Sequence, residues 1–244
     1  MYSKTLLASL ALLSSLVAPA LGHGTITGVS GANGVQAAGF GILASTPRNG
    51  ALPKPFEQDT SVIRDKEIQA GTTGVCGRTK AGGNNDVATQ LANASAAGLP
   101  TAGADGSVQM TLHQVNQDGA GPYTCECSAD GTGADFVQMD VTTNVPGVAG
   151  LSLAAAKDFD LVAQIPAGAN CTGGPNGDAC LVRCRNQALA GPFGSCVAVG
   201  NSGSSTSTSA AGAAASSVAA KREPVKRVIH SRVAGKRAGY WIDV

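Results

Sequence analysis

Three histidines, one tryptophan and three tyrosines in 244 residues leave the chain short of the side chains that metalloenzymes and carbohydrate platforms use most. Aromatic residues make up 4% and charged residues 14% of the sequence. Between residues 23 and 200 only His23, His113 and Tyr123 remain of those three types. A zinc catalytic centre, which takes three side-chain ligands, is therefore short of histidine. The glycine-rich run at residues 31–41 lacks phosphate-loop spacing and opens no helix, which excludes nucleotide binding. There is no Gly-x-Ser-x-Gly elbow for a serine hydrolase, and after the first residues no apolar run is long enough to cross a bilayer.

Charge is scarce and unevenly placed. The chain holds 17 basic and 16 acidic residues, but residues 221–244 carry seven of the basic and two of the acidic ones. With Lys4 also set aside, nine basic and fourteen acidic residues remain between. A mildly acidic body predicts no nucleic-acid partner and leaves a basic tail as a separate part. Asp158 and Asp160 alternate on one predicted strand and so share a face, which reads as solvated carboxylates rather than a glycosidase pair.

Glycine (33) and cysteine (7) are what the sequence has in quantity. Residues 1–22 read as a secretory signal: Lys4 in the n-region, an apolar h-region over residues 6–17, then small residues ending at Gly22. Cysteines in a secreted chain form disulfides. The odd count leaves at least one of them unpaired, and the connectivity is open. Cys125-Glu126-Cys127 is more simply read as cysteines bridged elsewhere than as a soft metal pair. Asn93-Ala94-Ser95 and Asn170-Cys171-Thr172 are N-glycosylation acceptors where exposed.

Short β-branched segments divided by Gly, Pro and Asn predict an all-β body over residues 23–200, an immunoglobulin-like or fibronectin III-like antiparallel β-sandwich with long loops and disulfides. Strands are expected at residues 23–29, 61–69, 108–113, 136–142, 158–165, 181–185 and 197–199, with helix at most around residues 87–97. Residues 201–220, almost all Ser, Ala, Gly and Thr, read as a linker. Residues 221–244 form a basic tail with three dibasic pairs, for trimming by a secretory protease or attraction to anionic wall polymer.

Cleavage after Gly22 would make His23 the first residue of the mature protein. Its α-amine and ring nitrogen can then grip one metal ion, and a second imidazole completes a three-nitrogen set that suits Cu(II). His113 is the candidate for that second imidazole. In residues 108–113, Val108, Met110 and Leu112 share one face while Gln109, Thr111 and His113 share the other. His113 thus stands on the polar side of its strand, in a ligand's position rather than a core residue's.

Four motifs, met in order, carry a resemblance: His23-Gly24-Thr25-Ile26-Thr27-Gly28-Val29; Val75-Cys76-Gly77-Arg78-Thr79; His113-Gln114-Val115-Asn116 running on to Gly121-Pro122-Tyr123; and Cys180-Leu181-Val182-Arg183-Cys184-Arg185-Asn186. They resemble the fungal Egh-type secreted virulence factors, also called MAS-type appressorial proteins. That resemblance implies a fungal protein secreted during host penetration and names no reaction. A more distant resemblance, to lytic polysaccharide monooxygenases, rests on His23, on His113 ahead of Gly121-Pro122, and on Phe193 three residues before Cys196. It implies copper held by the two histidines, Phe193 in the axial position, and a monomer acting on chitin, chitosan or a plant-wall polymer outside the cell. The glutamine or glutamate that this group keeps beside copper has only weak candidates here, Gln187 and Asn186. Alternatives are a copper carrier without turnover and a wall- or host-directed binding module.

Overall fold

In the computed structural model of the protein, residues 23–202 are described. In chain order they form β1 (Gly24–Ser30), β2 (Gln36–Ala37), the short α1 (Pro53–Phe56), β3 (Ser61–Val62), α2 (Asp65–Gln69), β4 (Arg78–Thr79), β5 (Gly83–Asn84) and α3 (Val87–Ala97). Then follow β6 (Ser107–Gln114), a 3-10 turn over Gln117–Gly119, β7 (Thr124–Ser128), β8 (Val137–Gln138), β9 (Asp140–Thr143), β10 (Lys157–Gln164), β11 (Ala179–Arg185) and β12 (Phe193–Gly200).

The strands make two antiparallel sheets, one in the order β2-β1-β6-β10-β9 and one in the order β5-β4-β3-β12-β11-β7-β8. Alternation explains how they meet. Val108, Met110 and Leu112 of β6 point into one core with Ile26 of β1 and Leu161 of β10; Val182 of β11 with Val197 and Val199 of β12 enters the same core from the other sheet. Strands β11 and β12 are buried almost throughout because their sheet is also covered on its far side. There Leu91 of α3, Phe40 and Leu99 pack on Leu181 and Ala198. A strand buried on both faces loses the apolar–polar alternation, which is why residues 193–196 were not legible as part of β12.

Three disulfides, Cys76–Cys196, Cys125–Cys184 and Cys171–Cys180, tie this body together. Cys127 is the unpaired cysteine, buried in the core, and burial pushes its thiol pKa up to about 11. Of Cys125 and Cys127, both read from sequence as bridged elsewhere, Cys125 is bridged to Cys184 and Cys127 is not.

Several local expectations are corrected. Residues 61–69 are not one strand: after Val62 the chain turns into α2, whose first turn carries Asp65 and Glu67, acids that suit the positive end of a helix. Residues 136–142 divide between the two sheets, β8 pairing with β7 and β9 with β10, because the 3%-exposed Met139 turns into the core between them. Strand β7 was missed: its Thr-Cys-Glu-Cys-Ser alternation is only five residues long and has Thr124 as its one β-branched residue. Helix α3, by contrast, spans the expected residues, its first turn capped by Asp86, whose carboxylate accepts from the Thr89 amide at 2.8 Å. Asn93 and Asn170 are both exposed. The expected linker beyond residue 202, the tail and the signal segment lie outside the described residues.

Candidate functional site

The first described residue opens β1 against β6. The Val115 amide donates to the His23 carbonyl at 2.8 Å, and the register sets Gly24 opposite Gln114 and Thr25 opposite His113. His113 is therefore the diagonal neighbour of His23 on the adjacent strand, a relation that puts Cα atoms roughly 7–8 Å apart and long side chains within reach of each other. A glycine must follow His23, since a Cβ at Gly24 would run into the Tyr123 hydroxyl and the Gly119 carbonyl. Asn186 braces the same corner: its Nδ2 donates to the carbonyls of Asp118 and Ala120, and its Oδ1 accepts from the Phe193 amide.

Around His23 the polar contacts come from far along the chain. Its backbone nitrogen donates to Asn116 Oδ1 at 2.6 Å. Its ring Nδ1 stands 3.1 Å from Glu57 Oε2, within ion-pair distance, yet is not aligned for a hydrogen bond. Glu57 is fully buried and also receives Lys80 Nζ at 2.9 Å and Asn116 Nδ2 at 2.8 Å. Burial pulls its pKa upward, but the adjacent His23 ring and the donors Lys80 and Asn116 outweigh it and hold the carboxyl down to about 2. Close by, Asp118 is buried with Oδ2 lacking a hydrogen bond; desolvation raises its pKa, against smaller lowerings from its own backbone amide and from His23. The Phe193 ring packs on the His23 ring with centroids 4.5 Å apart.

His113 is 2% exposed. Its Nδ1 lies 2.6 Å from Asp158 Oδ1 on β10, the strand position directly across from it. A nitrogen facing a carboxylate carries the proton, so in the neutral ring Nε2 keeps its lone pair. That Nε2 is buried and has no hydrogen-bond partner. Burying an imidazole nitrogen without a partner costs free energy, and the carboxylate–histidine arrangement behind it is the one that orients metal-ligating histidines.

Comparison with known proteins places the chain in a family. The model of the Egh16-like virulence factors matches residues 21–194. The chain belongs to the Egh16-like family. It is 46% identical to the appressoria-specific virulence factor GAS1 of Pyricularia oryzae over 209 residues, covering 83% of this chain and 80% of that one. With the appressoria-specific virulence factor GAS2 of the same fungus it shares 35% identity over 240 residues, 72% of this chain and 82% of the relative. No solved structure matches it.

For this Egh16-like protein the residues named from sequence fall in three groups. His23, His113 and Phe193 gather at one corner of the two-sheet body. Phe193 is itself 1% exposed, in an apolar cluster with Val62 and Ala188. Gln187 is exposed, and Asn186 is occupied with holding backbone. Asp158, read from sequence as solvated, is exposed and also holds His113. Glu57, Asn116 and Asp118 were missed. Asn116 and Asp118 gave a signal, both lying in the motif that starts at His113, whereas Glu57 sits 34 residues from His23 in an unpatterned loop.

Copper through a histidine brace needs two ring nitrogens and a free amine. Among the described residues no three His, Cys, Asp or Glu side chains are grouped to hold a metal, so any ion here would depend on that amine. The two ring nitrogens that such a brace would use, His23 Nδ1 and His113 Nε2, are both among the buried polar atoms without a hydrogen bond. The donor set fits the group, all nitrogen and on adjacent strands.

Proposed function

We propose that this virulence factor is secreted, cut after Gly22, and acts as a copper-dependent oxidase of a cell-wall polysaccharide of the lytic polysaccharide monooxygenase kind, its two sheets being a variant of the immunoglobulin-like or fibronectin-like sandwich. The observation that carries the reading is His113 Nε2: buried, unpartnered, oriented from behind by Asp158, and diagonal to the residue that the cut would make the terminus. His23 and His113 would hold the ion with the freed amine, and bound copper would supply the redox chemistry that attacks a C–H bond of the polymer.

The chain's own residues then have definite tasks. Asp158 keeps the proton on His113 Nδ1 and so keeps Nε2 open. Asn116 accepts from the His23 nitrogen and holds the first residue in line with β1. Glu57, tethered by Lys80, fixes the imidazole of His23 and brings a negative charge to its Nδ1 side, the place for which the sequence offered only Gln187 and Asn186. Phe193 packs the ring and shuts water from its face, and on the resemblance it would stand beside the ion.

N-terminal sequencing of secreted protein should read His-Gly-Thr. Copper should bind it with a spectrum altered by His113→Ala, and reductant with chitin, chitosan or plant-wall polymer should yield oxidised oligosaccharides by mass spectrometry. A different terminus, or oxidised products unchanged by His113→Ala, would refute the reading. One observation favours a second reading, copper binding without turnover: Tyr123, the one tyrosine of the body, is 1% exposed and offers no platform for sugar rings. Tight copper binding with no oxidised product would decide for it.

A further inference from the structure

Asn93 and Asn170, the two N-glycosylation acceptors, lie at one end of the body, away from His23. Strand β12 leaves the His23 corner at Phe193 and ends at Gly200, roughly 23 Å on at about 3.3 Å per residue. There the next residue, Asn201, holds Cys171 from both sides. Its Oδ1 accepts from the Cys171 amide at 2.7 Å, and its Nδ2 donates to the Cys171 carbonyl at 3.1 Å. Asn93 belongs to α3, and Ser95 of its triplet reaches the same end: a Cβ on Gly174 would touch both Ser95 Oγ and Ala179, the residue that β11 pairs with Gly200.

In each triplet the asparagine is exposed, while the hydroxyl that completes the acceptor is taken up by the fold. Ser95 Oγ is buried and has no hydrogen-bond partner. Thr172 donates its amide to the Ala129 carbonyl at 2.8 Å, and its hydroxyl lies 3.4 Å from the same oxygen. A sugar already on either asparagine therefore stands in water, as a bulky surface group must. Transfer to the finished fold is another matter, because the transferase reads the hydroxyl and draws the whole triplet into its own site. Both triplets have to be used before the body closes on them.

We propose that Asn93 and Asn170 both carry N-linked glycans added before folding, and that at Asn170 the addition races closure of the Cys171–Cys180 bridge. In the transfer, the asparagine side-chain nitrogen attacks the anomeric carbon of a lipid-diphosphate-linked oligosaccharide. The C–N bond forms as the C–O bond to the diphosphate breaks; the lipid diphosphate leaves with the electron pair, and an amide proton passes to a base of the transferase. Closing the bridge passes two electrons and two protons to a disulfide oxidant of the same compartment, and it ties the middle residue of the triplet into a ring. The partner cysteine is only 9 residues on, so it follows within roughly 0.5–2 s at a synthesis rate of about 5–20 residues per second. Disulfides form in seconds or longer, a similar time, so neither reaction wins in every chain. Asn93 has no such competitor: α3 is 11 residues long, too short to hold on its own, and the Leu181 and Ala198 that it packs against come far later in the chain. One site is thus filled and the other divided, with the sugars kept off the His23 corner. The proposal requires entry to the secretory pathway and nothing of copper.

The test expresses the full chain in a fungal host and reads gel mobility before and after a glycan-removing amidase, in secreted material and in the cells that made it. Because the addition precedes folding, a variant that is not secreted is still counted in the cells. The Asn93→Gln chain should run as two species, with and without one amidase-sensitive glycan; the Asn170→Gln chain should run almost wholly as the glycosylated one. Combined with Asn93→Gln, Thr172→Ala should leave the bare species alone. Cys180→Ser in that background should cut the bare species to roughly half or less, the bridge having been slowed from seconds to never, and a brief pulse of thiol reductant to the cells should do the same with the cysteines intact. An Asn93→Gln chain without any glycan overturns the site at Asn170. A bare fraction that neither Cys180→Ser nor the reductant changes overturns the race, and an Asn170→Gln chain that is mostly bare overturns the site at Asn93.

Discussion

The proton on His113 is placed by one contact, and its removal can be measured. Asp158 is itself largely exposed, with a side chain 63% accessible, so replacing it disturbs little packing; what changes is which ring nitrogen of His113 carries hydrogen. Asp158→Ala should leave the fold intact and weaken copper binding by roughly 10- to 100-fold, the range seen when a carboxylate behind a ligating histidine is lost. Calorimetry with a competing chelator would check it, and undiminished affinity would separate His113 from the metal. At this scale the sequence was informative where chemistry is rare and silent where it is common. Two histidines in a body of this length stand out, and strand alternation alone put His113 on the polar face. Glu57 does not stand out: it is one acid among fourteen, and its partners His23, Lys80 and Asn116 converge only after folding. Asp158 is exposed as read, but its contact with His113 was not legible, because alternation gives the face of a residue and not its neighbour on the next strand.

Among the elements, α2 shows how charge decides what hydrophobic pattern leaves open. Residues 61–69 alternate well enough for a strand, yet Glu67 joins Arg64, three residues back, and Arg78 of β4, at 3.0 and 2.9 Å, pairs that a continuous strand would separate. Arg185 of β11 reaches Asp65 in the same helix. The Arg78 hydrogen bond is the chief reason that the Glu67 pKa lies below its ordinary 4.5, with burial opposing and Arg64 adding to the lowering. A carboxyl depressed in the folded state stabilises in full above its unfolded pKa and loses that contribution as pH falls through its folded one. Glu67→Gln should therefore cost up to about 1 kcal/mol at pH 7, as expected of a partly exposed network. The deficit should shrink steadily below pH 4.5. Parallel urea titrations of both proteins would show it, and a deficit that stayed constant down to pH 3 would assign the loss to packing instead. Helix α3 was legible for a related reason, its capping Asp86 and unbroken Ala-rich run acting locally. Strand β7 was not, since its pairing with β11 is long-range.

For the molecule as a whole, connectivity is what sequence leaves open and topology supplies. Seven cysteines admit many pairings, and the fold selects three by bringing strands together: Cys125 and Cys184 lie opposite each other on β7 and β11, while Cys196 on β12 meets Cys76 from the loop before β4. The two extremes differ greatly in the chain they close, with sequence separations of 120 and 9 residues. In the chain-entropy account, closing the longer loop removes more freedom from the unfolded state, about 5 kcal/mol against about 3. Paired serine replacement of Cys76 and Cys196 should thus lower stability about 2 kcal/mol more than the same replacement of Cys171 and Cys180. It should also loosen the attachment of the segment that carries Lys80, and with it the Lys80–Glu57 pair beside His23. Hydrogen exchange would then rise around Glu57 and Asn116 in the Cys76→Ser/Cys196→Ser protein but not in the Cys171→Ser/Cys180→Ser one, which opens only the turn before β11. Equal exchange at Glu57 in the two would mean that the corner is held by its own hydrogen bonds, independent of the long bridge.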